Sequence, residues 1–373
     1  MAKLCGIFEF NDLVIKPLGK ENKMKSEDKK TKEQLQFPGA CTCMTLTSKT
    51  GKHYWFRTCD IETDIWVEGA HVVHQSKNKK IEYGNGKIEN VTYAYMGMTY
   101  NEKNIWLLDG VNECGLTGGL LMLPEGTSVE KENEDKIGYV GMELVTKLLA
   151  SCKDVEDVIM LASNIQVLNI PYGENQVPAT MHYFFVDRIG NEVILEAAEE
   201  KNPGIFQIYT KDEIIGVMTN SPPYPKQLQN FAWFLSQSPE LKSGMGGHAV
   251  TELEFDGRKI KADASAWHIS KNGTFPASYC SHDRFIRMAI LKALNKSGNE
   301  FEDEKMLALG SNLMNSVNEP STKGLFHYAS IEEDGAVIGQ KDSMTQYVVM
   351  YDLEEKSLHL KPFDEVSWMK YEM

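Results

Sequence analysis

Residues 41–62 read CTCMTLTSKTGKHYWFRTCDIE, two runs typical of β-strands on either side of the turn sequence KTGK. This pattern predicts a β-hairpin. The hairpin carries three cysteines, Cys41, Cys43 and Cys59. Because alternate side chains of a strand point to the same face, Cys41 and Cys43 share a face. Strand periodicity therefore does not say which of these two thiols is reactive.

A charged segment precedes the hairpin. Residues 16–36 read KPLGKENKMKSEDKKTKEQLQ, which has few apolar residues to bury and indicates a solvated segment. It ends at Pro38 and Gly39, which interrupt regular structure. The sequence therefore predicts that residues 1–40 are a removable leader and that the organised chain begins near Ala40.

Removal of the leader would change the chemistry of the first cysteine. A thiol with its ordinary pKa of about 8.5 is mostly protonated at neutral pH and needs a base. If the bond between Ala40 and Cys41 were cut, the new α-amine, with a pKa of about 7.7–8.0, could accept the thiol proton. Cleavage before Cys43 would work equally well in principle, so the residues alone leave both cysteines open.

The composition argues against several classes of protein. The 373 residues carry a net charge of −14, which disfavours general binding to nucleic acids or anionic membranes. No apolar run approaches the roughly 20 residues of a transmembrane helix, and the amino terminus lacks a secretory signal. Seven scattered cysteines show neither a disulfide rhythm nor paired zinc-ligand spacing. The sequence thus predicts a cytoplasmic protein with reduced thiols and without a metal or an organic cofactor.

Strand-like and helix-like segments occur in blocks along the chain. Strand patterns such as VTYAYMGM and ATMHYFFVD dominate the first half. Helical periods follow in YPKQLQNFAWFLS, DRFIRMAILKAL and EKMLALGSNLMNSV, before strand patterns return in TQYVVMYDLEEKSLHLKPF. This order predicts a layered α+β fold more than a βαβ alternation.

The motifs of the chain resemble those of the choloylglycine hydrolase family, which includes bile salt hydrolases and penicillin V acylases. The hairpin resembles the start of the mature family members. The segments DGVNECGLTGGLLMLPEG, TMHYFFVDRIGNEVILEA, VMTNSPPYP, DRFIRMAIL and SMTQYVVMYD resemble family motifs in the family's order. This resemblance implies one catalytic domain over residues 41–373 with a four-layer αββα sandwich of the N-terminal nucleophile hydrolase type.

The resemblance also chooses between the two cysteines. Family members carry an arginine sixteen positions and an aspartate nineteen positions after the nucleophile. Counting from Cys41 reaches Arg57 and Asp60, whereas counting from Cys43 reaches Cys59 and a glutamate. The resemblance therefore implies that Cys41 is the nucleophile.

Four further catalytic roles are implied by the resemblance. Arg57 would be a fixed positive charge beside the thiol, and Asp60 would hold the new α-amine in line. Asn220 would donate a hydrogen bond to the developing oxyanion. Arg284 would complete the charge network around the nucleophile.

Two other residues are expected to bind the substrate or its oxyanion. Met122 stands where many bile salt hydrolases have asparagine and many penicillin V acylases have tyrosine. Its side chain cannot donate a hydrogen bond, but its backbone N–H could serve the oxyanion. Cys59 adjoins Asp60 and is expected to contact the substrate.

The implied function is hydrolysis of linear, non-peptide amide bonds in small-molecule N-acyl conjugates, such as conjugated bile salts or compounds like penicillin V. The reaction would pass through a thioester, and relatives suggest a homo-oligomer, namely a tetramer. Two alternatives stay open. Met122 and the long leader would also fit an inactive or binding relative that keeps its leader. An acyltransferase would use an amine in place of water.

Overall fold

The computed structural model describes residues 39–61, 69–99, 106–170, 180–236, 252–255, 258–261, 276–320, 328–331, 337–341 and 344–373. Of the predicted leader, only Gly39 and Ala40 belong to these ranges, and they start the first strand. The rest of the leader, residues 1–38, lies outside the described residues. The bond that precedes Cys41 is therefore described from both sides.

The β-strands are numbered in chain order. They are β1 Gly39–Thr47, β2 His53–Ile61, β3 His71–Gln75, β4 Lys80–Glu82, β5 Ile88–Asn90, β6 Tyr95–Thr99, β7 Asp109–Asn112, β8 Thr117–Met122, β9 Ile137–Val140, β10 Ile165–Leu168, β11 Met181–Val186, β12 Glu192–Glu196, β13 Gln207–Thr210, β14 Val217–Met218, β15 Glu252–Phe255, β16 Arg258–Lys261, β17 Tyr328–Ile331, β18 Val337–Lys341, β19 Met344–Asp352, β20 Ser357–Pro362 and β21 Met369–Glu372.

The α-helices are fewer and lie mostly in the second half of the chain. They are α1 Leu144–Ser151, α2 Val155–Ala162, α3 Tyr224–Ser236, α4 Ser281–Leu294 and α5 Met306–Asn315. Helix α2 begins at an N-cap, since the side chain of Asp154 accepts a hydrogen bond from the backbone N–H of Asp157.

Two antiparallel sheets contain most of the described strands. One has the order β14–β1–β2–β19–β20–β21, and the other has the order β13–β12–β11–β8–β7–β6–β3. The predicted hairpin is confirmed as β1 and β2, which form the centre of the first sheet. Hairpin residues therefore have neighbours on both sides, as buried central strands require.

Four layers follow from the contacts between elements. Strands β1 and β8 pack against each other, as do β20 and β7, so the two sheets are stacked face to face. Helices α4 and α5 cover the outer face of the first sheet, against β1, β2 and β19. Helices α1 and α2 cover the second sheet, against β7, β8 and β12. The layered α+β fold predicted from the sequence is confirmed, and it is the αββα sandwich that the family resemblance implied.

Strand β8 was not among the strand patterns of the sequence, because glycines weaken the strand signal. The structure shows why glycines are needed there. A Cβ atom on Gly119 would lie 2.8 Å from Cη2 of Trp55 and 2.9 Å from the carbonyl oxygen of Leu108. A Cβ atom on Gly118 would lie 2.3 Å from the ring of Phe185. Gly119 therefore lets the two sheets approach each other beside the hairpin, while Gly118 leaves room for the ring of its neighbour within the second sheet.

Candidate active site

Cys41 lies in β1, where it is buried and pairs with Cys59 of β2. The Nη2 atom of Arg57 donates a hydrogen bond to the Cys41 sulfur at 3.3 Å. The hairpin register thus brings together two of the residues that the family count selected. The expected positive charge beside the thiol is present.

Arg57 reaches across the gap between the two sheets. Its Nη1 atom donates to the carbonyl oxygen of Leu108 at 2.7 Å and to Oδ2 of Asp109 at 2.8 Å. Both acceptors belong to the second sheet or its approach, while Arg57 belongs to the first. The Cys41 sulfur therefore faces the inter-sheet layer, and its charge partner is fixed from the opposite side.

Asp109 was missed by sequence reasoning, although it lies in a segment that resembles a family motif. The hydroxyl groups of Tyr347 and Tyr351 donate to its two carboxylate oxygens at 2.8 and 2.5 Å. Asp109 and Arg57 form a buried ion pair, with side chains 0% and 1% exposed. Sequence reasoning could have found Asp109, because it is a charged residue next to an apolar strand pattern. A buried charge in such a place needs a partner of opposite charge.

The electrostatic environment distinguishes the two cysteines that the strand pattern could not. The pKa of Cys41 is held well below its ordinary value, first by a hydrogen bond from the Cys59 thiol and then by the charge of Arg57, against the effect of burial. The pKa of Cys43 is raised well above its ordinary value, mainly by burial. Since the thiolate is the nucleophilic form, the site favours Cys41.

Asn220 connects strand β1 with the second sheet. Its Oδ1 atom accepts a hydrogen bond from the Cys41 backbone N–H at 2.6 Å. Its Nδ2 atom donates to the carbonyl oxygen of Met122 at 3.0 Å. The expected oxyanion donor thus lies next to the strand of Met122 and within hydrogen-bond reach of Cys41.

Arg284 joins the same group of residues from helix α4. It donates to the Cys41 carbonyl oxygen at 2.6 Å and to Oδ1 of Asn220 at 2.9 Å. Arg284 carries a charge, yet its side chain is 1% exposed. Its hydrogen bonds explain the burial, because a buried guanidinium needs acceptors.

The backbone of Met122 is directed toward Asn220. The next residue, Leu123, donates its N–H to the carbonyl oxygen of Thr180, on the side of β11. Neighbouring residues of a strand direct their backbone groups to opposite edges. The N–H of Met122 therefore points to the same edge as its carbonyl group, which accepts from Asn220. The Met122 N–H thus lies on the edge of β8 that faces Asn220.

Asp60 is held by two threonine hydroxyls. Thr58 donates to Oδ2 at 2.9 Å and Thr345 donates to Oδ1 at 2.5 Å. Burial, and next the nearby Glu319, raise the pKa of Asp60 well above its ordinary value. In the uncleaved chain the N–H of Cys41 goes to Asn220, so the expected contact between Asp60 and an α-amine is not seen here.

Cys59, which was predicted to contact the substrate, lies next to Cys41. Its sulfur lies 3.8 Å from Nη2 of Arg57, the same nitrogen that contacts Cys41. The side chain is 1% exposed. A hydrogen bond with Cys41 and burial raise the pKa of Cys59 well above its ordinary value, opposite to the direction of the shift at Cys41.

Within the described ranges, no group of histidine, cysteine and acidic side chains is arranged to hold a metal ion. No helix in that same part of the chain is long and apolar enough to cross a membrane.

Comparison with known proteins gives a family for this arrangement. Residues 41–373 match the model for linear amide C–N hydrolases, choloylglycine hydrolase family. The chain is 27% identical over 323 residues to a bile salt hydrolase/transferase of Clostridium perfringens, covering 84% of this chain and 87% of the relative. It is 26% identical over 254 residues to a bile salt hydrolase/transferase of Lactiplantibacillus plantarum, covering 67% and 71% of the two chains.

Solved structures share the fold. A variant of the conjugated bile acid hydrolase from Clostridium perfringens has a TM-score of 0.67 at 21% identity, covering 89% of this chain and 92% of the other. Penicillin V acylase from Agrobacterium tumefaciens has a TM-score of 0.63 at 17% identity, covering 89% and 86%. Since the family match spans most of the chain, this protein belongs to the choloylglycine hydrolase family and is a hydrolase of linear amide C–N bonds.

Proposed function

We propose that Cys41 is the nucleophile of this amide hydrolase after removal of residues 1–40. The observation that carries the proposal is the contact of the Cys41 sulfur with Arg57, at 3.3 Å, in a setting that lowers the pKa of the thiol. The family match supports the same boundary, because it begins at Cys41. A thiol whose pKa is lowered beside a fixed positive charge also argues against an inactive relative.

In the proposed reaction, the α-amine of Cys41 accepts the thiol proton and the sulfur attacks the amide carbonyl carbon. The C–N bond then breaks, and the α-ammonium group returns the proton to the leaving amine. The acyl group remains on sulfur as a thioester, which water hydrolyses with the same amine as base. The same sulfur would also attack the carbonyl carbon of Ala40, which breaks the Ala40–Cys41 amide bond, frees the α-amine and leaves the leader on sulfur as a thioester. Water would then hydrolyse this thioester and release the leader.

The oxyanion of each tetrahedral intermediate would lie between Asn220 and Met122. The Nδ2 atom of Asn220 now donates to the Met122 carbonyl oxygen, so a modest rotation of the amide redirects a donor to the oxyanion. The Met122 N–H would be the second donor. Fixed donors of this kind act most strongly in a buried site.

The remaining proposed roles concern charge and position. Arg57 would stabilise the thiolate, as its hydrogen bond to the sulfur supports. Arg284 would fix the Cys41 carbonyl group and Asn220. Asp60 would accept from the α-amine once the bond to its register neighbour Ala40 is broken. Cys59 would adjoin both the nucleophile and the bound substrate.

The proposed substrates are N-acyl conjugates with a bulky apolar acyl part, such as conjugated bile salts or compounds like penicillin V. The printed names of the relatives support this class. The cytoplasmic location and the homotetramer remain proposals, which come from cysteine usage and from the family resemblance.

A substrate panel tests the proposed function. Mature protein is incubated with glycine- and taurine-conjugated bile salts, penicillin V and N-acyl homoserine lactones, and the released amine is quantified. We expect that protein whose intact mass corresponds to residues 41–373 hydrolyses at least one of these conjugates. Mature protein that begins at Cys41 and hydrolyses none of these compounds would contradict the substrate class.

Acyl transfer is a second candidate, because two relatives are named hydrolase/transferase. A thioester can be attacked by an amine as well as by water. Adding a free amino acid to the same incubation should produce a new N-acyl conjugate if transfer occurs. Product analysis by mass spectrometry distinguishes this outcome from hydrolysis alone.

Replacing Asn220 with aspartate should lower kcat while leaving KM nearly unchanged. The variant keeps an acceptor for Arg284 and for the Cys41 backbone but lacks the amide donor. Loss of one oxyanion donor costs about 2.7–4 kcal/mol of barrier, or about 10²–10³ in kcat. Steady-state kinetics on mature protein measure the effect, with Asn202→Asp at an exposed turn as the matched control. A kcat equal to that of the control would show that Asn220 does not donate a hydrogen bond to the oxyanion.

A further inference from the structure

Cys41 and Cys59 face each other across the central hairpin. They are register partners of β1 and β2, and both are free thiols. One guanidinium nitrogen, Nη2 of Arg57, contacts both sulfurs, at 3.3 and 3.8 Å. The two sulfurs therefore lie on the same face of the sheet and close together.

The register places the two cysteines at a position where strands bring side chains closest. The N–H groups of Cys41 and Thr45 point away from β2, to Asn220 and to Gly216. The N–H of Thr42 points instead to Thr58 of β2. The pair of Cys41 and Cys59 is thus a non-hydrogen-bonded pair, with a Cα separation of about 4.5 Å in an antiparallel ladder. That separation falls inside the range of about 4.4–6.8 Å for disulfides.

The two thiols are also unequal. The pKa of Cys41 is lowered, first by the hydrogen bond from Cys59, while the pKa of Cys59 is raised, first by that same hydrogen bond. Oxidants react with the thiolate first, so Cys41 is the sulfur that would be attacked. Its neighbour Cys59 has a raised pKa and contacts the same Arg57 nitrogen, as expected of a resolving cysteine next to a redox-active one.

We infer that Cys59 is a resolving cysteine, which forms a reversible disulfide with Cys41 after oxidation by a hydroperoxide. The inference rests on the proposed function, because it takes Cys41 as the exposed nucleophile of the mature protein. It adds a modification site to the active centre and gives Cys59 a role besides contact with the substrate.

The chemistry has two balanced steps. The Cys41 thiolate attacks the terminal oxygen of the hydroperoxide, the O–O bond breaks, and the products are a sulfenic acid and an alkoxide or hydroxide that takes up a proton. The Cys59 sulfur then attacks the sulfenic sulfur, the S–O bond breaks, and a disulfide and water form. The hydroperoxide is the oxidant in this sequence. The disulfide blocks hydrolysis while protecting Cys41 from irreversible oxidation to the sulfinic acid.

Hydrogen peroxide is the probe for the test, applied to mature protein whose activity is then measured before and after dithiothreitol. Wild-type protein should lose activity, and its intact mass should fall by the mass of two hydrogen atoms. It should regain most of its untreated activity on reduction. The variants Cys59→Ser and Cys59→Ala should lose activity with a gain of oxygen atoms and should recover on the order of a tenth or less. Each variant is compared with its own untreated activity.

Peptide mapping without reductant locates the bond. Trypsin should yield the peptide CTCMTLTSK, from residue 41, joined to the peptide of residues 58–77. The matched control is Cys43→Ser, which removes the other cysteine of the first peptide and should keep both the cross-link and the recovery. Irreversible inactivation of the wild type, resistance to peroxide, or a cross-link that needs Cys43 would each overturn the inference. An active Cys41→Ala protein would instead show that the proposed nucleophile is wrong.

Discussion

Replacing Cys41 with alanine is expected to leave residues 1–40 attached and to abolish amide hydrolysis. Loss of the nucleophile removes both the attacking sulfur and the step that would release the leader. In hydrolases that form covalent intermediates, such a change lowers kcat on the order of 10⁶-fold. Intact mass of the purified protein and amine release from an N-acyl conjugate measure the two effects together.

Cys43→Ala is the matched control for this experiment. Cys43 lies two residues further along the same strand and is also buried, but burial raises its pKa and it pairs with Arg57 in register. We expect normal processing and activity close to that of the wild type. If Cys43→Ala kept the leader while Cys41→Ala lost it, the nucleophile would have to be moved to Cys43.

Replacing Arg57 with methionine is expected to destabilise the protein as well as to lower turnover. Sequence reasoning predicts mainly a loss of turnover, from the missing charge beside the thiol. The structure adds the ion pair with Asp109, which is almost fully buried. Removing one member of such a pair costs about 3–5 kcal/mol, because the other charge is left buried without its partner. The free energy of unfolding is measured by chemical denaturation, with Arg57→Met introduced into the uncleaved Cys41→Ala protein. Because this protein is inactive, the loss of stability is separated from any effect on catalysis.

The chain offers an exposed ion pair as the control for Arg57. Arg188 and Glu354 lie 3.4 Å apart, with side chains 51% and 48% exposed. Arg188→Met should therefore change the free energy of unfolding by about 0–1 kcal/mol. In the double variant Arg57→Met with Asp109→Leu, stability should partly return, since no unpaired charge remains. Equal losses from Arg57→Met and Arg188→Met would contradict the assignment of a strongly coupled buried pair.

The hairpin and the layered fold could be predicted because their signals are local. Alternating strand residues around KTGK mark β1 and β2, and helical periods mark α3, α4 and α5. The choice of Cys41 over Cys43 needed the spacing of family motifs, because strand periodicity treats both alike. The structure places the predicted residues Cys41, Arg57, Asn220 and Arg284 within one network of hydrogen bonds.

The remaining parts of the site depend on contacts between distant segments. Asp109 meets Arg57 only because the two sheets stack, and the two positions are 52 residues apart in the chain. The burial of Arg284 depends on acceptors in β1 and at Asn220, which helical periodicity does not record. The pairing of Cys59 with Cys41 is different, because it follows from the register of the hairpin. Counting outward from the turn KTGK on both strands would have predicted it.

Arg57, the charge partner of the Cys41 sulfur, is anchored to the opposite sheet through its hydrogen bonds to Leu108 and Asp109. A synthetic peptide of residues 41–62 would contain every residue of the recognisable motif, including the cysteine, the arginine and the aspartate. We nevertheless expect its thiol to have an ordinary pKa and ordinary reactivity. In the peptide, the guanidinium would be exposed to water, and no second sheet would hold it against the sulfur. The proposed reactivity of Cys41 therefore depends on the contact between the two sheets, and neither sheet alone would provide it.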